Sequence, residues 1–356
     1  MDFASDNAAG ASRPILEALL ATNDEFCPAY GADRHTADAE RALSALFERD
    51  VASFLVATGT GANALALGAI TPPWGAVFCH EHAHVIDDEC GAPEMYSGGA
   101  KLVGIPGAIG KITPATLRDA LARFPRGLVK QVQPAALSLS QATECGAIYT
   151  CTEIAELAAI AHEAGVAVHM DGARFANAVI ALGCSPAEMT WKAGINVLSF
   201  GATKNGALAC EAVIFFDRKR AANFVYQRKR GGHTLSKGRF LGTQMSAYLK
   251  DGHWLDLARH ANTCAAQLEA GLRKLPFVRL PWQRQVNEVF AILPRRADDA
   301  LKAAGARYYD WGARSLSAKE APTKDEVFVR LITSFATRPA DIDRFVAIVA
   351  QGAIAA

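Results

Sequence analysis

The chain has 356 residues, more than a single hydrophobic core usually holds, so its length predicts a large domain and a smaller one. Its 51% hydrophobic and 21% charged residues are typical of a globular protein, and a net charge of +1 argues against binding to nucleic acid or an anionic membrane. No apolar run is long enough to span a bilayer, and the N-terminus lacks the features of a signal peptide. The eight cysteines are scattered without any C-x-x-C pair, so we expect reduced thiols in a cytoplasmic protein.

Strand and helix patterns alternate through the first two thirds of the chain. Strands are predicted at residues 53–57, 76–79, 128–133, 167–170, 197–200 and 212–216. The clearest helix patterns cover residues 63–69, 114–124 and 152–163, the last with Thr152 as its cap and Gly165 as its stop. Several strands are nearly continuous apolar runs, as in sheets covered on both faces, so the pattern predicts an α/β sheet layered by helices.

The last third of the chain has a different pattern. A basic stretch from Lys219 to Lys237 interrupts the alternation, and a long helix is predicted at 256–275, ended by Pro276. Strands at 289–293 and 327–332, with helices at 297–304 and 340–349, indicate a smaller α+β domain. We expect an N-terminal arm packed on the small domain or a neighbouring subunit, a large domain and a small domain, at residues 1–25, 26–245 and 246–356.

Lys204 follows a short apolar strand and the small residues Gly201, Ala202 and Thr203. Covalent catalysis by an amine requires a lysine that is held in place, partly desolvated and close to other cationic charge. A lysine after a strand is more often a solvated loop residue, so this segment does not decide the function by itself.

Asp171 and the turn that begins at Thr58 add to this pattern. Asp171 ends an apolar strand, at the edge where open α/β sheets bind ligands, although a helix-capping role is also possible there. A carboxylate at that edge can pair with the pyridinium nitrogen of pyridoxal phosphate (PLP) and keep the ring an electron sink. The turn lies between a strand and a helix, where N–H groups and hydroxyls bind phosphate. A glycine-rich turn, then Asp171, then Lys204 is the chain order of aspartate-aminotransferase-type (fold type I) PLP enzymes.

Four segments resemble the low-specificity L-threonine aldolase family, which includes phenylserine aldolases and belongs to the β-eliminating lyase superfamily. They are AYGADRHTADAE (29–40), FLVATGTGAN (54–63), HMDGARFANA (169–178) and SFGATKNGAL (199–208). The resemblance extends from about Ser5 to about Arg344. It implies PLP fold type I, with a large, mostly parallel seven-stranded sheet domain and a smaller C-terminal α+β domain. It also implies cleavage of L-threonine, L-allo-threonine or L-phenylserine to glycine and an aldehyde.

The resemblance further implies which residues bind the cofactor. Lys204 would bind PLP as a Schiff base, and Asp171 would hold the pyridine nitrogen. The phosphate would be bound by Thr58, Gly59 and Thr60. His84 would stack on the ring, and it would either also serve as the base for the β-hydroxyl or only stack.

The resemblance also implies substrate contacts and an oligomer. Arg174 and Arg330, assisted by Ser5, would bind the substrate carboxylate. Tyr30, which would contact substrate, and Lys229, which would lie near the phosphate, would come from a neighbouring subunit of a homotetramer.

One segment departs from the family. Many relatives carry a second active-site histidine in an Asn-Thr-His segment, where this chain reads Ser-Gln-Ala-Thr-Glu (140–144). We expect Thr143 to replace that histidine, to contact the substrate and to favour larger or aromatic β-substituents.

Other functions fit the sequence less well. His80 to His84 match the HExxH pattern of zinc proteases, but a strand leads directly into them, so we expect no catalytic metal, although extended histidines could bind a metal weakly. Arg228, Lys229 and Arg230 lack the interleaved aromatic residues of a nucleic-acid site. A scaffold or binding protein would leave the order of these residues unexplained. β-Elimination to a keto acid and ammonia, or transamination, stays an alternative on the same scaffold.

Overall fold

The computed structural model describes residues 1–352, and its strands form two separate sheets. The strands are β1 (Ala52–Val56), β2 (Gly75–His80), β3 (Lys101–Ile105), β4 (Gln133–Ser140), β5 (Ala167–Gly172), β6 (Val197–Gly201), β7 (Glu211–Phe215), β8 (Glu288–Pro294), β9 (Tyr309–Asp310) and β10 (Glu326–Ile332).

Helices precede, connect and follow these strands. They are α1 (Arg13–Asn23), α2 (Arg34–Leu46), α3 (Gly59–Ile70), α4 (His84–Asp87), α5 (Ala92–Ser97), α6 (Pro114–Ala122), α7 (Cys151–Glu163), α8 (Phe175–Leu182), α9 (Pro186–Met189), α10 (Phe224–Arg230), α11 (Arg239–Leu249), α12 (His253–Arg273), α13 (Arg295–Ala303) and α14 (Pro339–Gly352). Within residues 1–352, no helix combines the length and the apolar character needed to cross a bilayer.

The large sheet has seven strands in the order β1-β7-β6-β5-β4-β2-β3. Neighbouring strands are parallel except at β7, which runs antiparallel to both β1 and β6. Strands β8, β10 and β9 form a small antiparallel sheet near the C-terminus. Every residue of β2, β5 and β7 is buried, as expected of apolar strands covered on both faces. The predicted α/β fold class, with a mostly parallel seven-stranded sheet and a smaller C-terminal sheet, is confirmed.

The strand predicted at residues 128–133 is wrong. Strand β4 begins only at Gln133, and the residues before it form turns. The Gln133 side chain accepts a hydrogen bond from Gly127 N and donates one to Leu128 O, which holds this loop closed. Val129 is 98% exposed, so its β-branched side chain packs against no strand. The preference of β-branched residues for strands depends on packing against neighbouring strands, and the sequence of this segment does not show whether such neighbours are present.

The cap predicted for helix α7 is also wrong, because Thr150 caps the helix instead of Thr152. Thr150 Oγ1 accepts a hydrogen bond from Glu153 N at 3.2 Å, and the Glu153 carboxylate accepts one from Thr150 N at 2.7 Å. This reciprocal pair is a capping box. Thr152 lies exposed in the first turn.

Helix α12 packs against both hydrophobic cores. Trp254, near its N-terminus, lies in the core of the large sheet, whereas Leu268 lies in the core of the small sheet. The helix ends at Arg273, before Pro276, which was expected to end it. Phe3 also lies in the small core, with its ring centroid 5.1 Å from that of Phe345. Residues before and after residue 245 therefore contribute to the same hydrophobic cores. The predicted domain bounds at residues 25 and 245 stay a prediction.

Replacing Thr150 with alanine is expected to lower the free energy of unfolding by about 1 kcal/mol, because one N–H at the start of α7 loses its acceptor. Thr152→Ala is the matched control, and its effect should stay within about 0.5 kcal/mol. Urea denaturation of both variants measures the difference. Equal effects of the two substitutions would show that Thr150 is not the cap.

Candidate active site

A cavity of about 830 Å³ opens beyond the carboxyl ends of strands β5 and β6. Its walls include the N-terminal segment, the large sheet and the small sheet. Most of the site residues expected from the sequence line it: Ser5, Thr58, Gly59, Thr60, His84, Asp171, Arg174, Lys204 and Arg330. The fold therefore brings together groups that the chain separates widely.

Lys204 lies in a short 3-10 turn directly after strand β6. The next residue anchors this turn, because Asn205 Nδ2 donates hydrogen bonds to Tyr248 Oη and Trp254 O, both at 2.8 Å. The Lys204 side chain lines the cavity and forms no hydrogen bond or ion pair within residues 1–352. Lys204 is thus held in place and half-buried, which are two of the features that covalent amine catalysis requires.

Asp171 is the first member of a hydrogen-bonded network on the cavity wall. Its Oδ1 accepts from Ala173 N at 3.0 Å, and its Oδ2 accepts from Asn63 Nδ2 at 2.9 Å. Asn63 Nδ2 also donates to Glu89 Oε1 at 2.8 Å, and His84 Nδ1 donates to the same oxygen at 2.8 Å. This network fixes the orientation of both Asp171 and His84.

The network also changes the acidity of two of its members. The hydrogen bond to Glu89 raises the pKa of His84 above its ordinary value, although burial opposes this. Burial raises the pKa of Glu89. The higher pKa of His84 increases its protonated fraction at neutral pH and leaves less of the neutral ring that can accept a proton.

The N-terminus of helix α3 forms one end of the cavity. Thr58 caps the helix, and its Oγ1 accepts a hydrogen bond from Gly61 N at 3.0 Å. Gly59 and Thr60 occupy the first turn, where N–H groups have no partner inside the helix. A Cβ on Gly59 would meet no atom within 4 Å, so the space beside it is open. A helix N-terminus of this kind binds anions, and this end of the cavity fits a phosphate group.

The two arginines that are expected to bind a carboxylate differ in their hydrogen bonds and ion pairs. Arg174 is buried, and it donates from Nε and Nη2 to the Asp6 carboxylate at 2.8 and 3.1 Å, while Glu288 lies 3.5 Å away. Burial opposes ionisation of Asp6, but the Arg174 guanidinium holds the pKa of Asp6 below its ordinary value. Arg330 has a buried Nε without a hydrogen-bond partner, and its Cζ lies 4.2 Å from the Trp311 ring centroid. Arg330 therefore keeps donors for a ligand, whereas two carboxylates already balance the charge of Arg174.

The sequence model of the family described as beta-eliminating lyase matches residues 2–295. The chain belongs to the β-eliminating lyase family. This membership confirms the superfamily that the motif segments indicated.

Two sequence relatives and two solved structures illustrate what this lyase is similar to. Low specificity L-threonine aldolases of Pseudomonas aeruginosa and of a Pseudomonas sp. strain are each 43% identical to it, over 86% of this chain and 88% of theirs. A solved structure of threonine aldolase from Leishmania major matches with a TM-score of 0.90 and 29% identity, covering 98% of both chains. Serine palmitoyltransferase of Sphingomonas wittichii matches with a TM-score of 0.69 at 14% identity, over 99% of this chain and 86% of its own, and shares the fold alone.

Thr143 of the lyase does not reach the cavity. Its side chain is fully buried, and its Oγ1 donates to Ile109 O at 2.9 Å and accepts from Ala147 N at 3.1 Å. The adjacent Glu144 lines the cavity instead. The expectation that Thr143 contacts the substrate is therefore corrected, because its hydroxyl holds the loop together. The preference for aromatic β-substituents that was based on Thr143 loses its support.

Tyr30 and Lys229 lie outside the cavity lining and contact each other. Lys229 Nζ lies 4.7 Å from the centroid of the Tyr30 ring, and Tyr30 is 54% exposed. Their expected place in the site of a neighbouring subunit involves a second chain and stays a prediction.

The HExxH pattern does not form the arrangement found in zinc proteases. His80 ends strand β2 and His84 begins helix α4, so the two histidines do not share one helix face. His80 Nε2 instead donates to Gly107 O at 3.0 Å, and His82 Nδ1 donates to Asp87 at 3.2 Å.

The sequence-based prediction gives no role to several polar residues of the site, among them Asn63, Glu89 and Glu144. Asn63 could have been found, because it lies three residues after Thr60 and thus on the same face of a helix. Glu89 is five residues after His84, but the short helix that begins at His84 ends at Asp87, so the sequence does not show that the two side chains are paired. Glu144 stands in the segment that departs from the family, but the sequence does not show which of its residues faces the cavity.

Thr143→Val is expected to lower the free energy of unfolding by about 1–3 kcal/mol, because Ile109 O and Ala147 N lose their buried partner. The KM for an amino-acid substrate should not change. Thr143→Ser, which keeps the hydroxyl, is the matched control. Urea denaturation and steady-state kinetics measure the two effects, and a raised KM at unchanged stability would return Thr143 to the binding site.

Proposed function

We propose that this chain is a PLP-dependent aldehyde-lyase that cleaves L-β-hydroxy-α-amino acids of the threonine and phenylserine type to glycine and an aldehyde. The observation that carries the proposal is that unpaired Lys204, the strand-end Asp171 and the incompletely bonded Arg330 line one cavity. The choice of aldol cleavage is supported by 43% identity to proteins named low specificity L-threonine aldolase.

The residues around the cavity fit PLP. Lys204 would hold it covalently, the first turn of helix α3 would bind its phosphate, and Asp171 would face its ring nitrogen. His84 would lie against the ring, in the orientation fixed by Glu89. When bound, PLP withdraws electrons from the α-carbon of the attached amino acid.

Arg330 would orient the substrate by its carboxylate. A guanidinium binds a carboxylate through paired, charge-assisted hydrogen bonds, and Arg330 has donors to spare. Burial lowers the pKa of Arg330, yet a guanidinium stays charged at neutral pH. Holding the carboxylate selects which bond at the α-carbon lies perpendicular to the ring, and aldol cleavage requires this to be the bond to the β-carbon. Cleavage also needs a group that takes the β-hydroxyl proton, and His84 and Glu144 are both on the cavity wall.

We propose that the enzyme works as a homotetramer with active sites at subunit interfaces, to which Tyr30 and Lys229 of a neighbouring subunit contribute. Large apolar side chains that are exposed in the single chain, such as Phe26 and Tyr226, support an interface that covers them. The eight cysteines are all free thiols, which supports a cytoplasmic location.

The purified protein with PLP is expected to be yellow and to convert L-threonine, L-allo-threonine or L-phenylserine to equal amounts of glycine and aldehyde. Lys204→Ala should lose both the colour and the turnover, because the covalent attachment is lost. Lys192→Ala, which removes a surface ion pair with Glu48, is the control and should keep both. Amino-acid analysis and an aldehyde assay measure the products. Release of keto acid and ammonia would instead support β-elimination.

Arg330→Ala is expected to lower kcat/KM for L-threonine by about 30-fold or more, mainly through a higher KM, because the substrate carboxylate loses charge-assisted hydrogen bonds. Arg330→Lys keeps the charge without the paired donors and should recover only part of the loss. Arg174→Ala should instead lower the free energy of unfolding by about 3–5 kcal/mol, since Asp6 and Glu288 lose their counter-charge. A stable Arg174→Ala protein whose only defect is a raised KM would contradict this division of roles.

A further inference from the structure

The loop after strand β4 carries a carboxylate that the chain leaves incompletely bonded. Glu144 Oε1 accepts hydrogen bonds from His84 N at 2.8 Å and from Ser140 Oγ at 3.1 Å. Oε2 is shielded from solvent and has no hydrogen-bond partner among residues 1–352. A buried polar atom without a partner costs about 1–3 kcal/mol. Such an atom requires an explanation, and a bound ligand can supply the missing partner.

Its position distinguishes Glu144 from the other buried carboxylates. In the part of the chain that the structure describes, the other buried carboxylate oxygens without a hydrogen bond belong to Glu89, Glu94 and Glu288. None of those three residues lines the cavity, whereas Glu144 does. Because the strand register places Ser140 opposite Asp171, the loop carrying Glu144 begins beside the carboxylate expected to face the cofactor. The incompletely bonded group is therefore part of the wall that would surround the substrate.

The acidity of Glu144 suits proton transfer. Burial, reinforced by the negative charge of Asp171, raises the pKa of the Glu144 carboxyl to about 7. Near neutral pH the group is present in both its ionised and its protonated form, which is the condition under which a general base works best. His84 is less suited, because its Nδ1 is bonded to Glu89 and that bond raises its pKa, so that more of it is already protonated.

We propose that Glu144 takes the proton of the substrate β-hydroxyl during aldol cleavage, and that His84 contributes its ring to cofactor binding. This role rests on the proposed aldolase function. The β-oxygen loses its proton to Glu144 Oε2, the bond between the α- and β-carbons breaks, and the β-carbon and its oxygen become the carbonyl of the leaving aldehyde. The electron pair of the broken bond stays with the glycine carbon, which then takes up one proton. The cleavage thus consumes no acid or base overall.

The anchoring of Oε1 explains how Glu144 would be positioned for this step. His84 N and Ser140 Oγ both bind Oε1, so the carboxylate is held while Oε2 keeps its lone pairs for a ligand. A β-hydroxyl can donate a hydrogen bond to such an oxygen, and the resulting aldehyde oxygen can accept one from the protonated acid.

The experiment compares two reactions of the holoenzyme. Glu144→Gln keeps the shape of the side chain and an oxygen for His84 N, but it cannot take a proton. Its kcat for L-threonine cleavage is expected to fall about 100-fold. The exchange of the glycine α-proton with deuterated solvent, followed by NMR, involves no β-oxygen and should keep its wild-type rate. This second reaction also shows that the variant is folded and loaded with cofactor.

Two further variants serve as controls. Glu94→Gln makes the same change at another carboxylate with a buried, unpartnered oxygen that does not line the cavity, so its cleavage rate should stay within about fivefold of wild type. His84→Phe keeps an aromatic ring without a titratable group, and it should slow both reactions together, because residue 84 would contact the cofactor in both.

The possible results distinguish a failure of the role of Glu144 from a failure of the aldolase function. Equal losses of cleavage and exchange in Glu144→Gln, or an unchanged rate of cleavage, would overturn the role of Glu144 while the wild-type enzyme still splits threonine. Selective loss of cleavage in His84→Phe, with glycine exchange retained, would assign the proton to His84 and likewise overturn it. A wild-type protein that releases keto acid and ammonia would contradict the aldolase function itself.

Discussion

The in-register pairing of three parallel strands positions the groups of the candidate site. Ser140 on β4 lies opposite Asp171 on β5, and Asp171 lies opposite Ser199 on β6. Because these strands end at one edge of the sheet, the loops that follow them open on the same side. Glu144, Asp171 and Lys204 reach one cavity for this reason. A shift of β5 by one residue would turn Asp171 to the opposite face of the sheet.

The same edge of the sheet concentrates buried carboxyl groups, and most of them are held by main-chain donors or by cations. Glu211 accepts a hydrogen bond from Ala202 N at 2.7 Å, close to Lys204, and burial raises its pKa to about 7. Arg174 lies between Asp6 of the N-terminal segment and Glu288 of the small sheet, so one cation joins three parts of the chain. Removing a single member of such a group leaves a buried charge uncompensated. The charged residues around the cavity therefore also contribute to the stability of the fold.

Residues at the ends of apolar strands could be predicted from the sequence, whereas residues inside loops could not. Asp171 and Lys204 follow strands whose apolar runs are unambiguous, so their placement at one edge followed from the fold class. Thr143 was assigned to the cavity in place of Glu144, because the bond from Thr143 to Ile109 O is a long-range contact without a local signal. The cap of helix α7 could have been found, since Thr150 and Glu153 have the spacing of a capping box.

Helix α12, which packs against both cores, restricts how the cavity can move. Its 21 residues span about 31 Å, and Trp254 and Leu268 are buried in different cores. Rotating the small sheet away from the large one would bend helix α12 or expose the apolar side chains near one of its ends to water. Hinge closure around a ligand is therefore disfavoured, and the separation between Lys204 and Arg330 is set when the protein folds. In the proposed reaction an amino acid would enter a site whose two anchors already have a fixed separation, which would lower the entropic cost of holding it.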